Sequence, residues 1–265
     1  MNKKLIILLL TLAMGLVIVS GAMPYTGSYA PGIGINGTVH DLGTSHNGMN
    51  YTASPADSLN RICIFCHAPH NTYRLSTATG GAGPQAPADF DYLPLWNHSL
   101  QADLAYQMYE NGPGAPQSGS KASQAILYGM VPGSTSLLCL SCHDGSVAVN
   151  SYGNVAQRPG SMSTGSSMIT SAYVIGQDKY LGNHHPIGFN FSDVRTGDTE
   201  IRNPAVAMLN VGETVNDHLY GGKMECGTCH SVHNKGNTGE ALLWRSDQNS
   251  ELCLTCHDKG TYTAP

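Results

Sequence analysis

Charge is scarce in this chain. Asp, Glu, Lys and Arg make up 12% of its 265 residues, and the balance is −5 with histidine neutral. An acidic chain without a basic cluster lacks the means to neutralise phosphates, which argues against a nucleic-acid partner. Phe and Trp are also few, at 4 and 2, so wholly apolar rings offer little flat surface for a core. After the first 22 residues no apolar run is long enough to span a bilayer. Strand-forming series are absent too, while Gly, Ser, Thr and Pro are abundant. That composition favours irregular chain over long helices or sheets.

No cysteine is left for a disulfide framework. All 8 belong to four CxxCH motifs: Cys63-Ile-Phe-Cys66-His67, Cys139-Leu-Ser-Cys142-His143, Cys226-Gly-Thr-Cys229-His230 and Cys253-Leu-Thr-Cys256-His257. This pattern is the attachment signature of c-type haem. Two thiols on one helical turn reach the two vinyl groups, and the next residue, histidine, lies under the iron as its proximal ligand. Zinc ribbons also use paired CxxC motifs, but zinc gives no reason for histidine at that one position every time. With 12 His in 265 residues, chance would place four of them there with odds of about a few in a million. The expected cofactors are therefore four covalently attached haems c. The thioether residues are Cys63, Cys66, Cys139, Cys142, Cys226, Cys229, Cys253 and Cys256. The proximal ligands are His67, His143, His230 and His257.

Residues 1–22 read as a signal peptide. Lys3 and Lys4 precede an apolar stretch from Leu5 to Ser20, and Ser20-Gly21-Ala22 offers small residues for cleavage. Loss of this acid-free leader takes the charge from −5 to −7. The remaining domain, 23–265, has roughly 60 residues per haem. That is too little for separate pockets, so the haems are expected to share walls in one continuous array. The expected fold is mostly irregular, with short α-helices, minor β structure and a haem-filled core. Loops are expected at Ser76–Pro87, Asn111–Ser123 and Ser151–Ser171. Helices are expected at Leu100–Tyr109, where Leu100, Leu104 and Met108 recur at four-residue steps, and at Ser123–Tyr128. Tyr173–Ile175 and Ala205–Met208 could pair as minor strands.

The chain also contains a duplication, with pseudo-repeats at about 40–150 and 185–265. The order H-x-[LI]-G, CxxCHxxHN, LW, LCL[ST]CHD occurs twice, starting at His40 and at His185. It aligns Leu95-Trp96 with Leu243-Trp244. It also selects four histidines as candidate distal ligands: His40, His70, His185 and His233. Four proximal and four distal imidazoles would saturate four irons. His70 and His233 sit three residues beyond a proximal histidine, too close to grip the same iron from its other side, so each must reach a neighbouring haem. His184 is the substitute for His185. His98 reads as a haem-edge contact, and His46 and His218 as surface or propionate contacts. Methionines and both tryptophans read as packing residues. Asp144 and Asp258, each after a proximal histidine, would bond the imidazole or cap a turn. Asn36, Asn50, Asn97 and Asn190 open N-x-[ST] sequons.

These segments, from His40-Asp-Leu-Gly through Glu225-Cys-Gly-Thr-Cys-His-Ser-Val-His233, resemble the doubled-CxxCH multihaem cytochromes. In haem number and layout the chain is most similar to the OmcE-like extracellular tetrahaem cytochromes. The resemblance implies bis-histidine haems and polymerisation into a conductive filament with a continuous haem chain. It also implies that one distal histidine comes from the adjacent subunit; His40, near the mature N-terminus, is the expected one. The implied location is secreted, extracellular or at the cell surface, with redox proteins or extracellular acceptors as partners; the alternative is periplasmic. The expected function is electron transfer without catalysis, because saturated irons leave no site for substrate. A discrete shuttle and a reductase with one open haem are the alternatives.

Intact-mass spectrometry of the exported chain is expected to give the polypeptide plus four haems. Replacing both cysteines of any one motif by alanine should remove one haem and leave three.

Overall fold

The computed structural model describes residues 34–35, 38–42, 61–79, 84–109, 129–153, 168–169, 173–235 and 242–265. The leader, His46, the Ser123–Tyr128 helix and most of the long expected loops lie outside these residues. Among the described residues the chain is mostly irregular. It has four short α-helices: α1 (Ser134–His143), α2 (Phe191–Gly197), α3 (Cys226–Cys229) and α4 (Glu251–Cys256). A two-stranded antiparallel sheet pairs β1 (Met208–Asn210) with β2 (Glu213–Thr214). Single 3-10 turns, such as Cys63–Phe65 and Val215–His218, complete the regular structure. No helix among the described residues is long and apolar enough to cross a membrane.

Two small cores flank α1. Leu140, only 1% exposed, packs with Met108, Leu181, Phe189 and Val215 on one side. Leu137 and Leu138 pack with Phe90 and Trp96 on the other. The helix carrying the second CxxCH motif is thus the wall between both clusters, with Leu140 turned to one and Leu137 and Leu138 to the other.

Residues 100–109 are not helical, contrary to the four-residue spacing. The apolar residues serve different cores: Leu100 and Leu104 pack beside the Phe90 cluster, whereas Met108 is in the Leu140 cluster. The backbone extends to span them. Gln107 N donates to Lys179 O (2.7 Å), and Leu181 N donates to Gln107 O (2.8 Å). The strand expectation shifts as well. Residues 203–207 form a turn closed by Asn203, whose side chain accepts from Ala205 N (3.1 Å). The strand begins only at Met208, and its partner is Glu213–Thr214 across a Val211-Gly212 turn, with Gly212 at φ +75°. Tyr173–Ile175 forms no strand; Ile175 N donates to His143 O (2.6 Å).

Helices α1 and α3 are joined by one buried carboxylate. Glu225, the N-cap of α3, is 1% exposed. Its Oε1 accepts from Gly133 N (3.0 Å), the N-cap of α1, and its Oε2 accepts from Ser136 Oγ. Ser136 Oγ in turn accepts from Cys226 N (3.0 Å). Two helix N-termini therefore share a single acid, the charge sign their exposed N–H groups favour. Burial raises the Glu225 pKa, against these hydrogen bonds, which lower it. A second tie between the halves is Gly188, at φ +78°. Its N donates to Met224 O (2.7 Å) and its carbonyl accepts from Val131 N (3.2 Å). A Cβ there would collide with the Val131 backbone, so glycine in the H-P-I-G segment permits both the conformation and the close approach.

Glu225→Ala would leave Ser136 and the Gly133 amide without their acceptor. It is expected to cost about 1–3 kcal/mol in denaturant unfolding. Glu225→Gln, which keeps an acceptor oxygen, should cost less.

Candidate functional site

Every CxxCH motif is wound on a helical turn. Cys63–Phe65 is a 3-10 turn, α1 ends on His143, and α3 and α4 end on Cys229 and Cys256. In the other three turns the histidine amide closes the helix: His67 N donates to Cys63 O (2.8 Å), His230 N to Cys226 O (3.1 Å) and His257 N to Cys253 O (2.9 Å). Both thiols and the imidazole are thereby presented by one turn, as porphyrin attachment requires.

Three of the four motif histidines have their rings oriented by main-chain carbonyls. His67 Nδ1 bonds Pro94 O (2.5 Å) and His143 Nδ1 bonds Tyr173 O (2.9 Å), and the Leu242 carbonyl accepts from His230. A proton held at Nδ1 leaves Nε2 to bind a metal. From the sequence, Asp144 and Asp258 are open to either of two roles, bonding the imidazole or capping a turn, and Asp144 takes the second. Asp144 is buried and bonds Lys179 Nζ, Tyr106 OH (2.6 Å) and Ser146 N (2.7 Å). It caps the turn after α1 and holds the 177–181 segment onto it. Asp258 pairs with Arg202 at the surface (2.7 Å). The carbonyls of Pro94, Tyr173 and Leu242 carry no side-chain signal that spacing could reveal.

The first and third motifs share a backbone geometry. Ala68 N donates to Leu95 O and Asn97 N to Cys66 O; in the second half Ser231 N donates to Leu242 O and Trp244 N to Cys229 O. Leu95 and Leu242 both adopt positive φ, as do Asn71 and Asn234. This register equates Trp96 with Leu243 and Asn97 with Trp244, one residue away from the LW-to-LW alignment. A one-residue slip turns a side chain to the opposite face. Trp96 is accordingly buried beside Phe90, while Trp244 Nε1 donates to Gly227 O (3.0 Å). Asn97 Nδ2 makes the equivalent bond to Ile64 O (2.7 Å). His98 then corresponds to Arg245. Both are buried and face backbone carbonyls: His98 lies against Ser99 O and Ala148 O (2.8 and 3.0 Å), and Arg245 donates to Met208 O (3.1 Å). His98 also touches Cys142 Sγ (3.3 Å). It is a structural residue at the attachment site.

Three of the four candidate distal histidines face a proximal one. The ring centres of His40 and His143 are 6.1 Å apart, those of His67 and His233 6.1 Å, and those of His185 and His257 6.3 Å. An iron bonded to two imidazole nitrogens at about 2 Å, each ring centre about 1.1 Å behind its nitrogen, separates the centres by about 6.2 Å. The spacing therefore fits a metal between each pair. Among the described residues no imidazole faces His230 in this way, and His70 is exposed. His185, not His184, faces His257. His40, expected to reach across to another subunit, faces His143 of its own chain. His218 is buried against Trp244 (4.3 Å), with Glu213 at 3.3 Å, and not at the surface. Burial, with His143 beside it, pulls His40 down to about 4, and burial also lowers His233 and His257. Neutral imidazole is the ligating form.

Burial pushes Cys66 and Cys256 up to about 12 and Cys229 up to about 11. Cys226 moves the other way, lowered by its hydrogen bond with Cys139. Among the described residues no three His, Cys, Asp or Glu side chains converge on one metal position. The sulfurs instead follow one another through the molecule. Cys66 lies in the field of Cys142 and Cys139, Cys139 shares a hydrogen bond with Cys226, and Cys229 is beside Cys253 and Cys256. Cys63 and Cys253, at the two ends of this order, are exposed.

No curated protein and no solved structure matches the chain. Residues 218–261 match the family model described as the doubled CXXCH motif. That segment holds the third and fourth motifs with the His218–Trp244 contact between them. The match, together with four turn-borne CxxCH motifs, supports a multihaem c-type cytochrome with covalently bound haem.

Proposed function

We propose that the protein is an exported electron carrier holding four haems c in one line, with no catalytic role, and that it assembles into an extracellular filament. The observation that carries the reading is the order in which the motifs neighbour one another, first to second to third to fourth, with Cys139 hydrogen-bonded to Cys226 and three imidazole pairs 6.1 to 6.3 Å apart. Bound haem supplies the one-electron chemistry. The chain fixes spacing and orientation: the helical turns place the sulfurs, carbonyls hold three of the proximal rings, and few residues separate neighbouring sites. Exposure of Cys63 and Cys253 supports transfer at both ends, which a head-to-tail polymer needs.

In the filament reading one imidazole crosses between subunits. His40 faces His143 in its own chain, so the receiving iron is expected at His230, which no imidazole faces among the described residues. A second reading is a reductase whose open coordination site lies at His230. A discrete shuttle is the third.

Electron microscopy and oxidised-state EPR of the secreted protein separate the three. The filament reading expects thin polymers of this chain with all haems low-spin. Discrete monomers with four low-spin haems would make it a shuttle. Monomers with one high-spin haem, abolished to leave three haems by Cys226→Ala/Cys229→Ala, would identify an open site there.

A further inference from the structure

The duplicated halves are held by different pairings. His40 and His143 both belong to the first repeat, and His185 and His257 both belong to the second. His67 and His233 do not share a repeat. We propose that His233 is the distal ligand of the haem attached at Cys63 and Cys66, so that this iron bonds both halves of the chain, while the His143 and His257 irons are completed by His40 and His185 within their own halves. The proposal rests on the haem reading above.

Several features position the two rings. His67 is held by the bond from its Nδ1 to Pro94 O and by the edge of Trp96, whose ring centre is 6.0 Å away at 89°. Nε2 is thereby directed away from the bonded side. His233 is presented by the tight turn after α3. There Asn234 N donates to Ser231 O (2.7 Å), Lys235 N donates to Ser231 Oγ (2.7 Å), and Asn234 takes φ +55°. Ser231 is 1% exposed and Asn234 0%, so the turn is anchored at these two residues while His233 projects from it. The ring planes of His67 and His233 differ by 34°, the smallest tilt of the three pairs, against 63° and 68°. Ring centres 6.1 Å apart span the distance that two imidazoles bound to one iron would occupy.

Two consequences follow. The first repeat cannot complete its own first iron, so its low-spin state depends on the second repeat being folded. The iron also becomes a cross-link between segments 166 positions apart in sequence, counted from His67 to His233, where loop-closure entropy is large and a metal tie stabilises most.

The test uses the full chain matured in a host that attaches haem c, with methionine replacing one distal histidine at a time. Methionine keeps an axial ligand and gives a ferric charge-transfer band in the far red. His233→Met is expected to convert one haem in four to His/Met ligation. In a background lacking the first haem (Cys63→Ala, Cys66→Ala, His67→Ala), His233→Met should give no such band, while His40→Met and His185→Met still give theirs. A His/Met signal from His233→Met in that three-haem background would overturn the proposal, as would four unchanged bis-histidine haems in the single variant. Should the three-haem chain fail to accumulate, NMR of the reduced single variant decides. The thioether methyl introduced by His233→Met must contact the haem bonded to Cys63 and Cys66, and contact with any other haem overturns the pairing. Absence of haem from the parent protein would instead refute the haem reading itself.

Discussion

Each CxxCH turn must present two sulfurs and one imidazole to the same place, and the rest of the molecule is organised around keeping these turns fixed. A single turn cannot hold itself: helices this short are unstable in isolation. Stability comes from outside. Glu225 closes the starts of α1 and α3 together, Asp144 holds the 177–181 segment onto the end of α1, and Asn97 and Trp244 bond the carbonyls of Ile64 and Gly227 inside two of the motifs. The buried polar groups of this chain serve the attachment turns more than they serve extended secondary structure.

This arrangement accounts for the composition. A chain with little regular structure and few Phe and Trp residues has two modest side-chain clusters among the described residues, both bordered by attachment cysteines: Cys66 beside one, Cys229 and Cys256 beside the other. Apolar surface from a covalently held porphyrin would extend these clusters where side chains do not.

The duplicated halves illustrate how like sequences diverge in detail while keeping one function of the backbone. Asn97 and Trp244 are unrelated side chains that donate the same hydrogen bond to equivalent carbonyls. His98 and Arg245 likewise fill equivalent buried positions and face main-chain oxygens. Aligning the two LW pairs is the natural reading of the letters, but the hydrogen-bond register sets them one residue apart. The letters carry no record of which carbonyl each residue must reach.

The sequence by itself determined the chemistry: which cysteines and histidines form attachment turns, that helical turns carry them, and which further histidines are candidates to face them. Those conclusions rest on covalent reach and local spacing, which a linear chain displays directly. Only the tertiary structure decided that residues 100–109 extend between two cores in place of a helix, that the carbonyls of Pro94, Tyr173 and Leu242 orient the rings of His67, His143 and His230, and which imidazole lies opposite which. Those outcomes depend on distances between segments far apart in the chain. His67 comes to lie 6.1 Å from His233, a ring in the other repeat, and no spacing rule within either repeat contains that distance.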